Sequence, residues 1–405
     1  MSKNIKHFIE TEVNKVRAFS FFIAEWLLLK LVKGTPSQAS QKILIVRLDA
    51  IGDFILWIEA AKELRRLYPK YTYSITLLGN KLWSDLATDL DVFDEIWSLD
   101  KPKFFKNIAY RLSMLLKVRK AGFSTAIQPT YSREFAYGDL IINASSAHER
   151  IGSEGDASNI NLWQKRISDR WYTRLISLPH GDNTLIGNAE FMRMLGSVNF
   201  KAGIPVLPVS VKVPLGINDR KYYVIFPGAG AVTRQWPIEN FKNLVNRIYR
   251  KTGLVGLVCG GGGEELLGEE LENHSEVPLL NYVGKTSLRE LVAIIAGAQF
   301  LVSNETSAVH IAAAVSTFSV CILGGGHFGR FLPYHLEEET CKPLPVAVIH
   351  EMECFGCNWQ CRYCSNSETV APCISQVTVN DVWSVVARVI SASASVPGCC
   401  INFEG

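Results

Sequence analysis

Twice along this chain an uninterrupted apolar run is followed by a longer stretch whose apolar residues recur at helical spacing, and no other feature narrows the fold as much. A strand apolar on both faces must be covered on both faces. A helix after each strand supplies the cover, so the rhythm predicts parallel sheets in an α/β fold. In the first series KILIVRL reads as a buried strand, FILWIEAAKELRRLYP as a helix ended by Pro69, and YSITLLG, EIWSLD and STAIQPT as further strands, with one long helical stretch running to Lys120. The second series opens at YYVIF and continues through ENFKNLVNRIYRKTG, LVGLVC, EELLGEELEN, LRELVAIIAGA, FLVS, SAVHIAAAV and FSVCIL. Between them KAGIPVLPVSVKVPLGIND, with Pro205, Pro208 and Pro214, breaks the rhythm. The expectation is two doubly wound, Rossmann-like domains facing a cleft, at residues 41–212 and 213–390. An N-terminal apolar helix and linker at 1–40 precede them, and a tail at 391–405 follows.

A chain of 405 residues, 48% hydrophobic and 20% charged, is long and apolar enough for two cores, which excludes disorder. Its formal charge of +3 is too small a surplus to make nucleic acid the partner, so an anionic ligand must be met locally. Ten cysteines, the first at Cys259, are too sparse for a disulfide-stapled secreted domain and indicate a reducing compartment. The most apolar stretch, AFSFFIAEWLLLKLV at 18–32, falls short of the roughly 20 residues that span a bilayer. Glu25 and Lys30 interrupt it on different helix faces. It therefore lies on a membrane or docks on the fold, and its internal charges argue against a signal peptide.

Ligands of open parallel sheets bind beyond the carboxyl ends of the strands. The second half marks that edge with PGAG (Gly228, Gly230), GGGG and GGG, where close-approaching N–H groups and helix N-termini suit an anion. Any one such turn is explained by tight connection alone; three point to a phosphate-bearing ligand. Gly324, Gly326 and Gly329 satisfy G-x-G-x-x-G, but FLPYH follows where a dinucleotide site needs a helix. Gly284, Lys285 and Thr286 end like a P-loop without its leading glycine. Cys354, Cys357, Cys361 and Cys364 are spaced C-x2-C-x3-C-x2-C, with Cys373 nine residues on. Such spacing suits a structural zinc or iron, and free thiols are the alternative. CNWQCRYC also has the spacing of radical enzymes that cleave S-adenosylmethionine, though too little chain follows to build their barrel.

Three segments together resemble glycosyltransferase family 9, the heptosyltransferase-type enzymes of bacterial surface polysaccharide: ILIVRLDAIGDFIL, FPGAGAVTRQWPIENF and LVSNETSAVHIAAA. The resemblance implies a GT-B fold with the acceptor on the first domain and the nucleotide-sugar donor on the second. It places Asp53 as the base that deprotonates the acceptor hydroxyl; a helix cap is the alternative role, and Asp49 the rival base. It places Arg234 on the donor diphosphate, and Thr306 and His310 match its third segment directly. Glu305 stands where an Asp is usual and Ser307 where a Gly is usual, while Glu264 or Glu265 occupies the position of an acid facing the nucleoside. Ala229 and Gly230 replace two hydroxyl-bearing residues of heptosyltransferases, which leaves the donor open.

The polar set Tyr131, Arg133, Asp139, His148 and Arg150 is assigned to the acceptor. Residues 101–120, basic and amphipathic, read either as a helix on anionic lipid or as a surface helix of the first domain. The implied activity is inverting transfer, without a catalytic cofactor or metal, from ADP-heptose or another nucleotide sugar to a lipopolysaccharide-core or other lipid-linked glycan. The implied place is the cytoplasmic face of a bacterial inner membrane, held peripherally. The competing classes are a non-catalytic nucleotide-sugar-binding protein, an NAD-dependent enzyme and a metal-cluster enzyme.

Overall fold

The computed structural model describes residues 41–395 apart from 181, 215, 218, 219, 365 and 367. The apolar stretch 18–32, its linker, and the tail from 396 with Cys399 and Cys400 lie outside the described residues. Six parallel strands form the first sheet: β1 Lys42–Arg47, β2 Ser74–Asn80, β3 Glu95–Leu99, β4 Thr125–Gln128, β5 Glu149–Ser153 and β6 Arg174–Ile176. Their order is β3-β2-β1-β4-β5-β6. The second sheet contains β7 Tyr222–Phe226, β8 Val255–Val258, β9 Leu279–Asn281, β10 Leu301–Asn304, β11 Ser319–Ile322 and β12 Val346–Val348. Its order, β12-β11-β10-β7-β8-β9, repeats the same winding. Each sheet therefore has a point where the strand order reverses, at β1/β4 and at β7/β10, and ligand sites form beyond the carboxyl ends of such strands.

Among the helices are α1 Ile51–Leu67, α2 Lys101–Lys106, α3 Ile108–Lys120, α4 Thr184–Leu195, α5 Ile238–Thr252, α6 Glu265–Asn273, α7 Leu288–Gly297, α8 Ser307–Ala314 and α9 Val379–Ser395. α1 stops short of Pro69 and buries Phe54, Ile55, Trp57, Ile58 and Leu64. The single helix expected up to Lys120 is two. Asn107 ends α2 by donating its N–H to the Lys103 carbonyl, 2.8 Å away, and begins α3 by accepting from the Tyr110 N–H at 2.9 Å. Asn caps a helix start well because its short side chain reaches the unpaired first-turn donors. Phe104 and Leu115 are buried in the first sheet's core. The basic groups turn onto aromatic faces, Lys117 over Trp97 at 3.8 Å and Arg111 over Phe104 at 4.7 Å. Of the two readings of residues 101–120, this packing is that of a surface helix pair with its apolar side inward.

By contacts the described chain divides into two units, residues 41–49, 65–84 and 91–178 in one, and 50–64, 85–90 and 179–395 in the other. The first turns of α1 thus pack with the second unit, although their sequence lies in the 41–212 segment. α9 extends into the segment expected as a tail, and buries Val382, Val386 and Val389 against the second core. Among the described residues no helix is long and apolar enough to cross a membrane.

Candidate active site

The loop after β7 carries Arg234 and is fixed by one buried amide. Asn304, at the end of β10, donates to the carbonyls of Pro227 at 2.7 Å and Gly228 at 3.3 Å. Its Oδ1 accepts from the Trp236 N–H at 3.1 Å. Both ends of the loop are thereby tied to the strand across the β7/β10 switch point. Arg234 lies between them in a short 3-10 turn, its guanidinium 4.5 Å over the Trp359 ring. Burial pulls its pKa down, opposed by the charge of Glu305, and its Nε is buried with no hydrogen-bond partner.

Glu305 follows β10 directly, and both of its carboxylate oxygens are buried without a hydrogen-bond partner. Burial raises its pKa to about 7, against the opposing pull of Arg234 and Arg330. An unpaired buried carboxylate costs far more than a paired one, so such groups in native folds mark places where a further partner belongs. The two glutamates after β8 divide their roles. The exposed Glu265 accepts from the Gly263 N–H at 2.8 Å and its pKa is lowered by that bond, as suits a first-turn acid of α6. Glu264 is turned toward the glycine loops and accepts from the Gly261 N–H at 2.8 Å. A side chain at Gly228 would displace that carboxylate from its place, so glycine lets Glu264 lie against the loop after β7. Gly230 has open space around it.

At the start of α8, Thr306 is the N-cap: its hydroxyl accepts from the Ala308 N–H at 3.3 Å and lies 3.0 Å from that of Ser303. Ser307 begins the helix, half-buried. One turn on, His310 is buried, and desolvation lowers its pKa to about 4, so the ring is neutral at pH 7. Its Nδ1 and the Tyr334 hydroxyl share a hydrogen bond of 2.8 Å, with the two rings stacked. A Cβ on Gly52 would stand 3.0 Å from the His310 ring. That closeness brings the first turn of α1, with Asp53, against α8. Asp49 is engaged elsewhere: its carboxylate is 3.0 Å from the Arg47 Nε and accepts from the Thr130 hydroxyl at 2.8 Å.

Three of the residues assigned to the acceptor, Arg133, Asp139 and Arg150, are engaged by the protein around Trp171 and Tyr172. Arg133 and Asp139 are buried together, 3.6 Å apart, and Arg133 also pairs with Asp169. The buried Tyr172 hydroxyl donates to Asp139 at 2.6 Å, and burial raises the Asp139 pKa against the pull of Arg133. The Arg150 guanidinium donates to the carbonyls of Trp171 and Ala147. His148 is exposed and Tyr131 half-buried.

The third glycine turn, after β11, is filled by protein. Side chains at Gly324 and Gly326 would meet the Trp359 indole, and one at Gly325 would meet Phe355. The cysteines of the same segment crowd one another. Burial, a hydrogen bond with Cys361 and the charges of Cys361, Cys373 and Cys357 raise Cys364 to about 11. Cys373 is raised by burial and then by Cys354, Cys361 and Cys357, and its sulfur accepts from the Gly325 N–H at 3.5 Å. Among the described residues no three His, Cys, Asp or Glu side chains stand ready-arranged around a metal position. Sequence reasoning missed Asn304, Arg330, Tyr334 and Trp359, which surround the predicted residues. Asn304 was visible inside LVSNETS, but nothing in a single sequence announces which loop an amide will clamp.

Residues 204–347 match the family model described as glycosyltransferase family 9 (heptosyltransferase). Lipopolysaccharide heptosyltransferase 3 of Escherichia coli K12 is 24% identical over 295 residues, 67% of this chain and 79% of that protein. The crystal structure of a family 9 glycosyl transferase from Veillonella parvula superposes with a TM-score of 0.69 at 14% identity, covering 87% of this chain and 98% of its own. A dodecameric iron-containing heptosyltransferase, TibC, from enterotoxigenic E. coli, solved with ADP-D-β-D-heptose, superposes at 0.53 with 14% identity, covering 88% of this chain and 77% of its own. The fold is GT-B.

Proposed function

We propose that this chain, residues 204–347 of which match the glycosyltransferase family 9 model, transfers a sugar, with inversion and without a catalytic metal, from a nucleotide donor to a hydroxyl of a lipopolysaccharide-core or related lipid-linked glycan. The observation that carries the reading is the electrostatic pairing of the half-buried Arg234 and Glu305, with Arg234 Nε and both Glu305 oxygens buried and unpartnered, at the switch point of the second sheet. The donor's diphosphate lies against Arg234 and the N-terminus of α8, where a cation and a helix dipole take up negative charge as the leaving group departs. Glu305 and the neutral His310 address hydroxyls of the sugar, and Glu264 the nucleoside. Asp53 accepts the proton of the acceptor hydroxyl as its oxygen bonds to the anomeric carbon and the bond to the diphosphate breaks. ADP-heptose is the first donor to try, because TibC was solved with it.

The cysteines Cys354, Cys357, Cys361, Cys364 and Cys373 hold a structural iron or zinc in this reading; their spacing and the iron of a structural relative support it, while in the described structure they are not arranged around a metal position. Metal analysis of the purified protein tests it, and an unstained, metal-free, fully active protein removes it. The enzyme works on the cytoplasmic face of the membrane that holds its acceptor, attached reversibly. Loss of vesicle binding between low and high salt is the expected sign; no binding to anionic vesicles at low salt defeats it.

Asp53→Asn tests the reaction itself. Turnover falls by about 10²- to 10⁴-fold with nucleotide affinity retained, as read by a transfer assay beside calorimetry with ADP. Unchanged turnover removes Asp53 as the base.

A further inference from the structure

Arg234 does not aim itself. Its guanidinium lies 4.5 Å over the indole of Trp359, a residue between Cys357 and Cys361. That indole is held from several directions. The glycine turn after β11 receives it, since only glycine at 324 and 326 leaves room for the ring. The cysteine segment is laced to the same turn, Gly356 N–H donating to the Gly325 carbonyl at 2.7 Å and Asn358 N–H to the Gly326 carbonyl at 2.9 Å. The Asn358 side chain meets His327 at 2.8 Å. Asn358 and Trp359 are consecutive non-glycine residues in the left-handed region, at φ 50° and 59°, a conformation uncommon for single residues and rarer in pairs. Downstream, Ala371 donates its N–H to the carbonyl of Thr233 at 3.0 Å, beside Arg234 itself.

We propose that Trp359 is a positioning residue for donor binding: its ring is the floor on which Arg234 is held in register with the diphosphate. The proposal rests on the donor reading of Arg234. A cation on an indole face keeps its charge while losing rotational freedom, so the arginine meets its anion already ordered. The cysteine segment thus enters the donor site through this indole rather than through a thiol.

The probe is ADP, measured by calorimetry against wild type, Trp359→Leu, Trp359→Phe, Arg234→Ala and the double variant Arg234→Ala/Trp359→Leu. Trp383→Leu is the control, because Trp383 carries Arg247 at 4.6 Å on α9. Trp359→Leu weakens ADP roughly tenfold, Trp359→Phe restores most of that loss, and the control binds like wild type. In the double variant the Trp359 change has no further effect, since the group it positions is gone. In a transfer assay Trp359→Leu raises the donor KM with little change in kcat. Weakened binding in Arg234→Ala beside unchanged binding in Trp359→Leu, or additive losses in the double variant, overturns this inference alone. ADP binding that is absent from wild type, or equal in Arg234→Ala, overturns the donor reading and this inference with it.

Discussion

Asp139 and Glu305 are two carboxylates buried near the working edges of two sheets wound in the same order, and burial raises the pKa of both. Their surroundings differ. Asp139 Oδ1 accepts from the Tyr172 hydroxyl at 2.6 Å and has Arg133 at 3.6 Å, so its charge has a counter-charge and a hydrogen bond inside the fold, although its Oδ2 has no hydrogen-bond partner. Glu305 has two arginines in its electrostatic neighbourhood and no hydrogen bond from any of them. Polar richness at a strand end therefore does not identify a binding site. Unpartnered buried polar atoms occur in both halves, and what distinguishes Glu305 is that neither of its carboxylate oxygens has a hydrogen-bond partner, whereas Asp139 holds one at Oδ1.

Removing one partner from the answered pair is expected to have the largest effect. Asp139→Ala leaves Arg133 buried without its counter-charge and lowers the free energy of unfolding by about 3–5 kcal/mol, read from urea denaturation. A variant as stable as wild type would mean the network is not structural, and would return Arg133 and Asp139 to the acceptor.

Glu305→Gln has the opposite sign. The carboxyl rises from 4.5 to about 7 on folding, so between those values the folded chain keeps a proton that the unfolded chain releases. Stability attributable to this group therefore falls as pH rises through that window, and the loss is complete above about 7. At the size of the shift the penalty is on the order of 3 kcal/mol. The glutamine variant, which cannot ionise, unfolds at a higher temperature than wild type at pH 8, with the gap closing toward pH 5. A variant less stable than wild type at pH 8 would show that the carboxylate has an internal partner after all.

The same contrast explains what was legible beforehand. Strands such as Ile43–Val46 and Tyr222–Phe226 are uninterrupted apolar runs buried along their length, and a run of that kind has few other uses. β6, β9 and β12, three residues each, carry no period to read. The helix break at Asn107 was hidden because apolar spacing continues across it while a single side chain caps the second segment. Arg234, Glu305 and His310 were singled out because they sit in segments resembling a known family. The acceptor assignment drew on Arg133 and Asp139 because a sequence records which residues are charged, not which of them face each other. Trp359 escaped for the same reason: its use depends on a glycine turn more than thirty residues earlier in the chain.

The central claim is that the second half, and not the first, supplies the cation for the donor's diphosphate. Calorimetry of ADP against Arg234→Ala and Arg150→Ala tests it most directly, because Arg150 in the first half is committed to the carbonyls of Trp171 and Ala147. Arg234→Ala is predicted to weaken ADP by at least roughly tenfold, the loss of a charge-assisted contact, while Arg150→Ala binds like wild type. ADP affinity that survives Arg234→Ala but is lost in a folded Arg150→Ala protein would contradict the account.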